Sequence, residues 1–159
     1  TIFDGRNGWI AGPQIAGPNL KVPVLTVAGS EVDGARFDAE MSFPGRVKQL
    51  AKTWRAGAPT EIGDNEVNVV QGTTDGGLLI TLYFDSETGL LTRSVRYTNS
   101  PVGRIPVRVD YSDYRDVAGV KMPYKFTVTW LDGRENYELT EIQANAPVDA
   151  AKFAKPVDK

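Results

Sequence analysis

The chain contains no cysteine and no histidine among its 159 residues. The first absence excludes disulfides, thiolate-held zinc, iron–sulfur clusters and thiol nucleophiles; with the second go imidazole-based triads and covalent c-type haem attachment within this chain. No run approaches the roughly 20 consecutive apolar residues that span a bilayer, because the longest candidates, near Leu78-Leu79-Ile80 and from Val22 to Val27, are broken by polar residues or proline. Charge of one sign is missing as well. Lys and Arg number 18 against 20 Asp and Glu, and a net charge of −2 offers nothing to a nucleic-acid backbone. Neither a Gly-x-Ser-x-Gly elbow, a phosphate-binding loop nor a dinucleotide glycine motif is present.

What remains is ample for a core: 41% of residues are hydrophobic and 24% charged, the balance of an ordinary globular chain, and the length suits a single domain over residues 1–159. Thr1-Ile2-Phe3 enters directly as a strand without Met, which reads as a trimmed piece of a longer precursor. Asp4-Gly5-Arg6-Asn7-Gly8 between apolar flanks predicts a hairpin; as a calcium loop it lacks the further oxygen ligands. Gly12-Pro13 to Pro23 reads as an irregular connection.

Ser30 followed by Asp33 predicts an N-terminal helix cap with an acidic residue in the first turn, with Val32, Ala35 and Ala39 at helical spacing, and Phe37 and Met41 likewise. Pro44 ends that helix and opens another, in which Val47, Leu50, Ala51 and Trp54 form an i, i+3, i+4, i+7 stripe until Gly57 and Pro59. From Thr60 the period switches to two. Six alternating segments, near residues 66–69, 78–84, 91–97, 105–111, 122–130 and 137–139, predict an antiparallel meander, and Asp149 to Phe153 a last helical turn. Such a sheet curls, so the expected fold is α+β, mainly β: an unclosed half-barrel with two short helices over its concave face.

Three groups of residues invite a function. Trp9, Phe37, Trp54, Leu82, Phe84, Val107, Val109, Phe126, Val128 and Trp130 line either a pocket for a lipid-like ligand or an ordinary core. Arg46, Lys48, Lys52 and Arg55 gather on the polar side of the second helix, as a docking face for an acidic partner or as a solvated surface. Carboxylates are the only strong acid/base candidates: Asp110, Asp113, Asp116, Glu138 and Glu141 lie on or near strands, where a pair could flank a glycosidic bond. Alternation already explains them as outward partners of Arg93, Arg96, Arg108 and Lys125. No cofactor or metal site is expected.

Several stretches resemble the LolA/LolB-like lipoprotein-sorting family. They are Leu82-Tyr83-Phe84-Asp85-Ser86-Glu87-Thr88-Gly89-Leu90-Leu91-Thr92-Arg93, the hairpin Tyr111-Ser112-Asp113-Tyr114-Arg115-Asp116-Val117-Ala118-Gly119-Val120-Lys121-Met122-Pro123, and the ending Thr140-Glu141-Ile142 through Phe153-Ala154-Lys155-Pro156. Thr1 to Trp9 is similar to that family's mid-sheet hairpin. The nearest variants resemble the haem-free C-terminal part of acidobacterial reaction-centre cytochrome c subunit family proteins. The resemblance implies a periplasmic or outer-membrane-associated, non-enzymatic binding or scaffold domain whose cargo is a lipid or acyl chain. It also implies that the family's first helix and opening strands would precede Thr1. The alternatives are a structural domain of a photosynthetic or respiratory cytochrome subunit, touching an electron-transfer protein or a missing N-terminal segment, and, more remotely, a carboxylate-based hydrolase.

Overall fold

A computed structural model describes residues 1–11, 23–100 and 103–156; the proline-rich connection over 12–22 lies outside them, Pro23 apart. The chain forms two compact units, Thr1–Gln49 with Pro147–Lys159, and Leu50–Ala146.

In the first unit β1 (Ile2–Phe3), β2 (Gly8–Ile10) and β3 (Leu25–Val27) form a three-stranded antiparallel sheet in that order. The β1–β2 turn is held by one carboxylate. Asp4 Oδ1 accepts the backbone N–H groups of Arg6 at 2.7 Å and Asn7 at 2.6 Å, so its oxygens complete a turn, not a cation site. Helix α1 (Ser30–Glu40) buries Phe37. Ser30 is its first helical residue and not the cap; Gly29, at φ 60°, precedes it and no side chain caps the helix. The second helix is a 3₁₀ segment, Pro44–Gln49. It stops short of Leu50, Ala51 and Trp54, so the four-residue stripe that mimics a helix is divided between this segment, a loop and a strand. A final 3₁₀ turn, Ala150–Phe153, is capped by Asp149, whose Oδ1 accepts the Ala151 N–H at 2.9 Å.

The second unit is one unclosed antiparallel sheet. It contains β4 (Trp54–Ala56), β5 (Thr60–Ile62), β6 (Asn65–Thr73), β7 (Leu79–Asp85), β8 (Leu91–Ser100), β9 (Gly103–Val117), β10 (Val120–Trp130) and β11 (Gly133–Glu138). The order is β11-β10-β9-β8-β7-β6-β4, with β5 also paired to β6. The chain is thus α+β, mainly β, with the six-strand meander that the alternation predicts. Short connections suit the strands' twist: Ala118 and Gly119, both left-handed at φ 49° and 83°, join β9 to β10. Asp85 Oδ1 holds the β7–β8 turn by accepting the Thr88 N–H at 2.7 Å and hydroxyl at 2.6 Å. Burial peaks at the middle of the sheet, where Ile80 and Leu82 of β7 and Val67 of β6 are fully enclosed.

Two tryptophans sit over glycines on neighbouring strands. Trp54 pairs with Gly72, and a Cβ built on Gly72 would fall 2.9 Å from the indole and 2.8 Å from Ala51 Cβ. At the opposite end of the sheet Trp130 pairs with Gly133, where a Cβ would fall 2.9 Å from that indole. Gly133 opens β11 and makes room for the ring. The two sites differ in what can yield. Gly72→Ala collides with a short side chain in the buried part of the sheet and is expected to cost about 1–3 kcal/mol in denaturant unfolding. Gly133→Ala meets a ring that is 37% exposed and free to swing outward, so the expected cost is below about 1 kcal/mol with a shift in tryptophan emission. Equal costs at the two sites would contradict this packing.

Candidate apolar binding face

Residues paired directly across an antiparallel ladder share a face of the sheet, and residues two apart on a strand share it again. One row runs through seven strands without interruption: Ala56, Val70, Leu82, Ser94, Val109, Val128 and Glu135. A second joins Trp54, Gly72, Ile80, Arg96 and Val107, and a third joins Tyr111, Phe126 and Tyr137. Trp130 and Phe84 fall on the same face by alternation with Val128 and Leu82. The pairing of β7 with β8 shifts between Tyr83 and Phe84. Its pairing with β6, Phe84 opposite Asn68, stays in step.

Eight of the ten sequence-predicted pocket residues therefore lie on a single face: Trp54, Leu82, Phe84, Val107, Val109, Phe126, Val128 and Trp130. Trp9 and Phe37 are buried in the other unit. The face is graded. Leu82 is enclosed, Val107, Val109, Phe126 and Val128 are half-buried, and Trp130 and Tyr137 are exposed at 37% and 41%. The apolar surface over β9, β10 and β11 is thus accessible to a ligand, and the β7 part is core. Tyr137, absent from the sequence-derived set, stacks on Phe126 with centroids 4.8 Å apart and an interplanar angle of 12°. Its position in the alternation was visible; the register that brings it opposite Phe126 was not. The polar interruptions are satisfied: Ser94 Oγ lies 3.1 Å from the Tyr111 hydroxyl, and Arg96 Nη1 donates to Thr98 Oγ1 at 3.0 Å.

The opposite face is polar along β9 to β11, whereas on β8 it carries the buried Val95 beside Arg93. Arg93, Asp110, Thr127 and Asn136 form one row, and Asp110 is held between the Arg93 and Arg108 guanidiniums, the latter with Nε at 2.9 Å. Thr127 Oγ1 donates to Asn136 Oδ1 at 2.8 Å, and Lys125 lies 3.3 Å from Glu138. Asp116 bonds Lys121 at 2.7 Å and Glu141 accepts from Gln143 at 2.9 Å, so each acid/base candidate on this list is a partner in a local contact. Asp113 belongs to a different arrangement. At φ 54° it leaves the extended conformation, and the β9–β10 ladder skips it and Tyr124. Arg115 grips its carboxylate in a fork at 3.1 and 2.6 Å while its guanidinium lies 4.3 Å from the Tyr124 ring centre. Among the described residues, no group of three or more Asp or Glu stands together as a cation site.

The four basic residues do not share a helix face. Arg46 and Lys48 are in the 3₁₀ segment, where Arg46 bonds Glu40 at 2.9 Å. Lys52 follows it in a loop, 3.0 Å from Asp75, and Arg55 is exposed on β4 with its side chain opposite in sense to Trp54.

Three carboxylates are held below the usual carboxylate range: Asp85 chiefly by the Thr88 hydroxyl, Asp4 by the Asn7 amide and Asp113 by the Arg115 fork. Depressed folded-state values contribute stability that is whole above the ordinary value of 3.8 and lost as pH falls through the folded one. Burial, with a smaller contribution from Tyr111, pushes the Tyr114 hydroxyl upward as it donates to Leu91 O at 2.6 Å, so its contribution is complete below the ordinary value of 10.0 and lost progressively as pH rises from there through the raised folded-state value. Asp85→Asn is expected to lower the thermal midpoint at neutral pH, with the gap from wild type closing as pH drops below about 4. A gap that stays constant across an acid titration would mean that the carboxylate's charge is not the source.

Among solved structures, the crystal structure of a LolA superfamily protein from Nitrosomonas europaea is similar to this chain. It is 13% identical, with a TM-score of 0.46 over 94% of this chain and 67% of that one. No protein-family description matches the sequence, and no curated protein matches it.

Proposed function

We propose that this chain is a non-enzymatic, extracytoplasmic binding domain that receives an acyl chain or similar apolar cargo on the β9–β11 part of its large sheet. The observation that carries the reading is the graded face. Val107, Val109, Phe126, Val128 and Trp130 follow from one register and are left half-buried or exposed as one apolar stretch on β9 and β10, with Ser94 and Arg96 of β8 between them and the enclosed residues of β7. Contiguous apolar surface of this kind is costly to leave in water and favours a flexible hydrocarbon ligand, which gains roughly 0.8 kcal/mol for each methylene it buries. The placement outside the cytoplasm is supported by the resemblance of the β7–β8 and β9–β10 hairpin sequences to lipoprotein-sorting domains. The non-enzymatic reading is supported by the carboxylates, which are matched to cations on the polar face or engaged in local contacts and do not point together into a cleft.

Lipid extraction of the purified protein followed by mass spectrometry, and titration of delipidated protein with a long-chain fatty acid, test this directly. Trp130→Ala removes an exposed ring with little demand on folding and is expected to weaken fatty-acid binding about tenfold. Asn68→Asp, on the far side of the sheet's span, should leave it unchanged. Material that yields no lipid and binds no fatty acid at micromolar concentration would overturn the carrier reading and favour a domain that works by protein contact.

A further inference from the structure

The sheet ends at β11, and among the described residues this strand pairs on one side only, with β10. Its residues from Arg134 to Glu138 are all exposed. The Leu139 N–H donates to Tyr124 O at 2.8 Å, which fixes the phase of the ladder. In an antiparallel pair, residues turn their backbone groups alternately toward and away from the neighbouring strand. Tyr137, Glu135 and Gly133 therefore face β10, and the N–H and C=O groups of Arg134, Asn136 and Glu138 point outward. An edge with three such residues in sequence is a template for another strand.

We propose that this edge pairs antiparallel with the same edge of a second copy of the chain, about a two-fold axis at Asn136. In that register Arg134 stands opposite Glu138 of the second copy, Asn136 opposite Asn136, and Glu138 opposite Arg134, so two opposite-charge pairs form and all six outward backbone groups on each strand are matched. Glu135 stands opposite Tyr137, repeating between copies the hydrogen bond that the Tyr137 hydroxyl makes to Glu135 within one strand. Shifting the register toward the start of the strand sets Glu135 against Glu135. Shifting it the other way leaves Arg134 without an opposing residue on the edge. Charge therefore selects both the partner and the register. Arg134 has no acidic partner among the described residues, and Glu138 is exposed, with Lys125 at 3.3 Å. A two-fold axis normal to the sheet keeps like faces together, so the two apolar faces join across the seam.

Sedimentation velocity of the full chain up to millimolar concentration tests this. Wild type is expected to show a monomer–dimer equilibrium. Asn136→Pro removes an outward N–H and leaves the backbone ladder to β10 intact, so it should be monomeric, with a thermal midpoint lowered only by loss of the exposed Thr127 contact. Arg134→Glu alone and Glu138→Arg alone should each weaken dimerisation about tenfold, and an equimolar mixture of the two should restore it. The charge variants decide the matter if the proline variant fails to fold. A wild type that stays monomeric throughout overturns the proposal, as does a dimer indifferent to the charge reversals or a mixture that restores nothing.

Discussion

The structure depends on one constraint: an antiparallel ladder that stays in step across seven strands. A strand's side chains alternate with period two, so a common register gathers the apolar residues of β9 and β10 on one side and their charged neighbours on the other. Strands β6 and β8 send buried valines, Val67 and Val95, to the second side. The row from Ala56 to Glu135 is the direct expression of that constraint. Once it is set, the Arg93–Asp110–Arg108 group has only the reverse side to occupy, and on β9 and β10 hydrocarbon and charge are thereby separated. The hydrophobic term dominates because Ile80 and Leu82 are wholly enclosed, whereas exposed ion pairs of the Lys125–Glu138 kind contribute little each.

The meander was legible because β6 to β11 are long enough for alternation to show, and their turns carry glycine where a left-handed residue is needed, as at Gly89 and Gly119. The three-residue strands β3, β4 and β5 were not legible, since three residues establish no period and their pairing is decided by distant partners. Val47, Leu50, Ala51 and Trp54 show the opposite failure. A helical spacing arises by coincidence in a four-residue set, and here Trp54 is claimed by β6 through the space above Gly72, which a sequence does not display. Ser30 was misplaced by a single residue for a related reason: the backbone turn is made by Gly29, whose φ of 60° no neighbouring sequence signal specified.

For the candidate site the division is similar. Chemistry was legible: which side chains are apolar, which acids have cationic neighbours in the alternation, and which reaction types lack their residues. Geometry was not. Period two placed Phe126 and Val128 on one side of their own strand. Only the register showed that Tyr111, Phe126 and Tyr137 are contiguous across three strands. The Asp113–Arg115–Tyr124 arrangement escaped entirely, because it follows from a break in β9 that leaves the ladder's register unchanged on either side.

The parity that builds the faces also restricts how the chain can change length. A single residue gained or lost inside β9 would send every side chain beyond that point through the sheet, delivering arginines to the greasy side and valines to water, unless a bulge absorbed the extra residue. Length variation is thereby channelled into the hairpin tips or into bulges such as the one between β7 and β8. Descendants of this sequence can therefore differ freely in loop size while the spacing within each inner strand stays almost frozen.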